Sequence, residues 1–154
     1  MSIDFKEFLQ SVEEHERGFV GELHDFLSEN GGCECDIKEA KSGFVVSYIH
    51  DKKTLMNYVQ RKTGTKARIY AANIGSYQEL LNTLPPKLKA DIVKAAPCKR
   101  LLDPSACNPK CSMGYTFEMD GVLYKKCRST AFMFALSEEN DPFIRKFLEK
   151  ELGL

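Results

Sequence analysis

Apolar residues at Phe5, Phe8, Leu9, Val12, Phe19, Val20, Leu23, Phe26 and Leu27 recur mostly at steps of three and four, the spacing of one helix face. The pattern predicts a long amphipathic N-terminal helix within residues 1–32, stopped by Glu29-Asn30-Gly31-Gly32. Gly18 and Gly21 fall inside it, each weakening it by about 1 kcal/mol relative to Ala, so a kink or break is expected near them.

The period then shifts from helical to extended. The runs GFVVSYIH and TLMNYVQR, joined by Asp51-Lys52-Lys53, read as a hairpin, and ARIYAA after Gly64 reads as a third strand. Ser76 and Glu79 have capping-box spacing ahead of a helix that places Tyr77, Leu80, Leu81 and Leu84 together. Pro85-Pro86 interrupts it, and KLKADIVKAA makes a second short helix ending before Pro97. Further on, Tyr115, Phe117 and Met119 alternate with Thr116 and Glu118. Asp120-Gly121 supplies a favoured two-residue hairpin turn to VLYKKCR. TAFMFAL is another strand, and Asp141-Pro142 opens a last helix with Phe143, Ile144, Phe147, Leu148 and Leu152 as its buried stripe.

Two segments thus run strand, strand, strand, helix. The expected class is α+β: an antiparallel sheet from two βββα-like halves with helices on one face, plus the long N-terminal helix. The chain reads as one domain over 1–154, with a helical region at 1–32, halves at 43–96 and 114–154, and a cysteine-rich connector at 97–113. The order of elements over residues 43–152 resembles, as a permutation and by topology alone, the duplicated gyrase-inhibitor-like modules. That resemblance implies a binder of small hydrophobic or cationic molecules, and no residue motif carries over. The run CKRLLDPSACNPKCSMGY resembles a family of small bacterial cysteine-motif proteins, which implies no particular activity.

The connector raises the question of metal. Cys98, Cys107, Cys111 and Cys127 follow a C-x8-C-x3-C-x15-C pattern in a stretch with little apolar material to offset its ordering entropy. Four thiolates on one Zn²⁺ would supply the missing constraint, and a closed four-sulfur shell makes that zinc structural rather than catalytic. Free thiols, disulfides or an iron–sulfur cluster are the other readings, because C-x2-C spacing is absent. Cys33 and Cys35 form a second pair whose side chains would point the same way in an extended segment. They read as incidental thiols of a surface loop or as ligands for a metal or redox partner.

Charge and motifs narrow the function class. The net charge is zero, yet residues 1–41 hold 11 acids against 4 bases and residues 42–136 hold 15 bases against 6 acids. Either an acidic helical region neutralises a basic sheet, or the basic surface attracts an anion or nucleic acid. The chain carries no GxSxG, HExxH, P-loop or Rossmann fingerprint, and its three histidines are His15, His24 and His50, so a catalytic reading is unsupported. The first twenty residues lack an apolar signal core, and no apolar run approaches the ~18 residues that span a bilayer. The expectation is a cytoplasmic protein without a membrane partner. If Tyr48, Tyr58, Tyr70 and Tyr124 share an uncovered sheet face with Arg68 and Arg128, they make a shallow aromatic-cationic surface for a planar or anionic small molecule. Nucleic-acid binding is the rival, through Arg61, Lys62, Lys66 and Arg68 around one turn and Lys99, Arg100, Lys110, Lys125, Lys126 and Arg128 near the cysteines. A protein-interaction domain without catalysis is the third option.

Overall fold

The computed structural model describes residues 4–41, 43–62, 64–98 and 114–153. They form two compact units, one of residues 1–69 with 134–154 and one of residues 70–133. The first unit begins with α1 (Phe5–Ser11), a 3-10 turn (Glu14–Glu16), α2 (Arg17–Asp25) and a π-helical turn (Phe26–Asn30). Strands β1 (Glu34–Ala40), β2 (Gly43–His50), β3 (Lys53–Arg61) and β4 (Gly64–Ile69) follow as an antiparallel meander. The second unit carries the short turns α3 (Ile74–Tyr77) and α4 (Glu79–Asn82), helix α5 (Pro86–Lys94) and the hairpin β5 (Tyr115–Met119) to β6 (Val122–Lys126). Strand β7 (Met133–Ala135) lies beside β4 as the fifth strand of the large sheet, and α6 (Asp141–Leu152) ends the chain.

The class is α+β, with a five-stranded sheet ordered β1-β2-β3-β4-β7 and a separate two-stranded sheet β5-β6. The sharing of strands is unlike the expected pair of halves. In the segment after residue 114, Tyr115–Met119 and Val122–Lys126 pair with each other, and the short β7 is the strand that joins the large sheet. The expected long N-terminal helix is likewise divided. Val12 turns extended (φ −79°, ψ 146°), well before Gly18 and Gly21. Two contacts account for the position of that break. The Arg17 guanidinium donates to the carbonyls of Gln10 (2.8 Å) and Val12 (3.0 Å), satisfying the free end of α1. The extended step also lets the Glu13 carboxylate accept from the Thr65 backbone N–H at 3.1 Å.

Register explains how the sheet of this unit is covered. Residues 55–60 of β3 are buried without interruption, so both of its faces are shielded. On one face stand Phe44, Val46 and Tyr48 of β2, Met56, Tyr58 and Gln60 of β3, and Ala67 and Ile69 of β4. Helices pack there: Phe8 of α1 lies 5.5 Å from the Tyr58 ring and 6.3 Å from Phe44, and His24 of α2 meets Tyr48. Gln60 ties the layers by accepting from the Phe44 N–H (2.8 Å) and donating to Ser11 Oγ (2.8 Å). On α6, Phe147 packs on Phe134 of β7, and Arg145 lies over Phe26 at 4.5 Å. The opposite face carries Val45, Ser47, Asn57, Val59, Lys66 and Arg68.

Local expectations met different outcomes. Asp51 (φ 50°) and Lys52 (φ 65°) close the β2–β3 hairpin, and Asp120 (φ 52°) and Gly121 (φ 79°) close β5–β6, both with the two left-handed residues of a type I′ turn. The Ser76–Glu79 capping box does not form; the Ser76 hydroxyl donates backwards to the Asn73 carbonyl at 2.8 Å. Asn140 occupies the N-cap position of α6 without a side-chain capping bond, and Asp141 accepts from the Ser137 N–H at 3.1 Å. Strand β1 was not expected at all, because six of its seven residues are exposed and show no apolar alternation.

A buried acid pair sits in this unit. Glu16 is 2% and Asp141 8% exposed, and the two are hydrogen-bonded. Burial first, then the bond and the charge of Glu16, push the Asp141 carboxyl up to about 8. Because the folded value lies above the ordinary carboxyl range, the stability held by the protonated form is complete below about pH 4 and is lost as pH rises towards 8. Asp141→Asn, which keeps the Ser137 contact, should therefore flatten the decline of urea-measured stability between pH 5 and 8; an unchanged slope would rule out this group as its source. A second substitution tests the glycines of α2. A Cβ on Gly21 meets nothing within 4 Å. Gly21→Ala should therefore stabilise the chain by about 0.5–1 kcal/mol in the same measurement.

Candidate functional site

The second unit gathers chemistry-bearing side chains around one short piece of sheet. Pro97 bridges Lys126 antiparallel to it, with Cys98 N–H bonded to the Lys125 carbonyl (3.0 Å) and Cys127 N–H to the Ala96 carbonyl (2.8 Å). In this register Ala96 faces Cys127, and Cys98 lies two residues along on the same side. The two cysteines are therefore diagonal neighbours on one face, a relation that puts Cβ atoms about 7–8 Å apart or somewhat less. Gly114 completes the corner. Its N–H points at Cys98 Sγ from 3.3 Å. A Cβ at Gly114 would collide with the Lys126 carbonyl and with the Cys98 side chain, so no other residue fits without displacement.

Cations and rings adjoin this corner. Arg128 places its guanidinium 5.0 Å from the Tyr70 ring centroid and 5.9 Å from that of Tyr115. Tyr115 and Phe117 of β5 pack on Phe132 at 5.3 Å each, and Phe117 stacks on Tyr124 of β6. Lys126 is occupied: its ammonium donates to the carbonyls of Val93 (2.8 Å) and Ala95 (3.0 Å), neutralising the open end of α5. Lys125 is exposed.

The structure divides the expected ligand-binding residues. Tyr70 and Arg128 are brought into contact, and Tyr124 belongs to the same unit. Tyr48 and Tyr58 do not line an uncovered face; both are 0% exposed and meet each other at 6.0 Å beneath the helices. Strand parity places Arg68 on the other side of that sheet. The expectation failed for a physical reason: Tyr48 and Tyr58 share the parity of Val46 and Met56, and the apolar majority drew that face inward. Of the expected metal ligands, Cys98 and Cys127 are described, whereas Cys107 and Cys111 lie outside the described residues, as do Lys99, Arg100 and Lys110. Among the described residues no group of three or more His, Cys, Asp or Glu side chains is placed to hold a metal ion.

Sequence reasoning passed over a polar chain in the first unit. His24 Nδ1 is 2.9 Å from the Tyr48 hydroxyl, and Cys35 of β1 stands directly opposite Tyr48 in the strand register. Phe5 stacks on the imidazole at 3.7 Å. Burial lowers His24 and raises Tyr48, Cys33 and Cys35, so each favours its neutral form. Neutral thiols are poor nucleophiles, and the chain reads as a way of satisfying a buried phenol. Nothing in the local sequence signals it, since His24, Cys35 and Tyr48 meet only through the sheet.

Among the described residues no helix is long and apolar enough to cross a membrane. Comparison of the chain with protein-family models, with curated proteins and with solved structures finds no match. The corner geometry has its own test. Gly114→Ala should cost about 1–3 kcal/mol of stability through forced displacement of the Lys126 backbone, measured by denaturant melts; a neutral substitution would show that the corner yields.

Proposed function

We propose that the chain is a small-molecule-binding or sensing domain whose second unit is braced by a structural zinc on Cys98, Cys107, Cys111 and Cys127. The observation that carries the reading is the Cys98 corner. Two cysteines stand diagonally on one face with a backbone N–H donating to one sulfur at 3.3 Å. Cys107 and Cys111 belong to a segment whose two flanks, Cys98 and Gly114, are in contact, so the chain returns to the first thiol after it leaves. Such a return favours several sulfurs on one ion. Zinc there would supply the ordering that this weakly apolar connector cannot gain from burial. The ligand surface is the Arg128 guanidinium with the Tyr70 and Tyr115 rings, a combination suited to a planar anion. Nucleic-acid binding is the weaker reading, because the Lys126 ammonium already serves two carbonyls.

Metal analysis of protein purified under reductant tests the brace. About one zinc per chain is expected, lost in Cys98→Ser and in Cys127→Ser but retained in Cys33→Ser. A metal-free, reduced chain whose melting temperature ignores added zinc would refute it. Benzoate, a planar carboxylate, should raise the melting temperature of the wild type and not of Arg128→Gln.

A further inference from the structure

Register lines up four polar residues straight across the first unit's sheet, on the face away from its helices. Asp36 of β1 is opposite Ser47 of β2, Ser47 is opposite Asn57 of β3, and Asn57 is opposite Arg68 of β4. Polar residues in direct register on a buried central strand need partners, because an unmet polar group there costs about 1–3 kcal/mol. Part of this row is satisfied: Asn57 Nδ2 donates to Ser47 Oγ at 2.7 Å. Part is not. Asn57 is 9% exposed, and its Oδ1 is buried with no hydrogen-bond partner. The Nε of Arg68 is buried and equally unpartnered. A buried acceptor and a buried charged donor thus stand unpartnered on directly opposed residues, whose Cβ atoms lie about 4.5–5.5 Å apart.

Two residues along on the same face, Val45 and Val59 pair with each other, and Lys66 is opposite Val59. They add an apolar ledge and a second cation beside Arg68. Asp36, three strands and about 14 Å from Arg68, has its carboxylate 3.7 Å from Lys38.

We propose that Ser47, Asn57 and Arg68 form a binding site for a small carboxylate that bears an O–H or N–H on the neighbouring atom, the carboxylate taken by Arg68 and the adjacent donor by Asn57 Oδ1. The anion answers the unpartnered guanidinium N–H, and the donor answers the unpartnered amide oxygen. A plain anion satisfies one of the two groups and leaves the other orphaned. Discrimination comes from that second bond, because a buried acceptor rejects a ligand that cannot donate to it. The site is built from the first unit alone and does not depend on the cysteine corner, on zinc or on Arg128.

Thermal shift and calorimetry on the full chain test it, with lactate and N-acetylglycine as two-headed probes and with acetate and acetamide as one-headed ones. Both two-headed probes should bind, with acetate about tenfold weaker, the worth of one buried hydrogen bond. Asn57→Leu should remove the preference for lactate over acetate, and Arg68→Met should remove binding of both. Arg128→Gln and Cys98→Ser should leave lactate binding unchanged, which separates this site from the one in the second unit. Two results overturn the proposal without recourse to variants: no response to either two-headed probe, or acetate binding as tightly as lactate. The latter would mean that Asn57 presents its amide N–H₂ rather than its oxygen.

Discussion

Strand β3 is buried along six consecutive residues, and the arrangement of the first unit follows from that one constraint. A strand with two dry faces must pair on both edges and find company for every polar atom it turns inward. On the helix side, Tyr58 brings a phenol oxygen without a hydrogen-bond partner, near Asp141, whose charge the same burial suppresses. Gln60 is the better-served member, bonded to β2 and to α1. On the far side, Asn57 is half-satisfied by Ser47. Among the described residues, the buried polar side chains thus fall into two sets, Asn57, Gln60 and Thr65 on β3 and β4, and Glu16, Asn140 and Asp141 outside the strands.

The N-terminal segment shows how tertiary contacts divide what local propensity would leave whole. Its apolar stripe suits one long helix, and its two glycines offer a place to break. The break falls earlier because three groups gain partners there: the last carbonyls of α1 from Arg17, and the Glu13 carboxylate from the Thr65 N–H. Each is worth on the order of 1 kcal/mol, comparable to the helical turn given up. The second unit relies on a similar economy. Lys126 holds α5 to the hairpin through two carbonyls, and Gly114 allows the approach that brings the Cys98 sulfur under a backbone donor. Charged and polar groups at element ends, rather than additional apolar area, set the positions of these joints.

Hydrophobic periodicity and turn chemistry were legible residue by residue. Asp120-Gly121 announced its hairpin, VVSYIH and TLMNYVQR announced theirs, and the stripe of Ile144, Phe147 and Leu148 is the buried face of α6. Strand β1 was illegible, because an edge strand protected by Glu34, Asp36, Lys38 and Glu39 looks like a loop. Of the candidate site residues, Cys98 and Cys127 fall on one face of their strand pair, and Arg128 lies over the Tyr70 ring. Tyr48 and Tyr58 went the other way, since alternation tells which residues share a face but not which face is covered.

The sequence by itself therefore determined the α+β class, the hairpin turns and the parity of every strand except β1, because these depend on neighbours within a few residues. Tertiary structure decided which parity faces the helices, where the N-terminal helix breaks, that β5 and β6 leave the large sheet, and that Ser47, Asn57 and Arg68 fall in line. Those outcomes turn on register between strands and on hydrogen bonds between residues far apart in sequence, such as Glu13 with Thr65 and Ser11 with Gln60. No local pattern encodes such pairs; they become favourable only once burial has removed the water that would otherwise satisfy them.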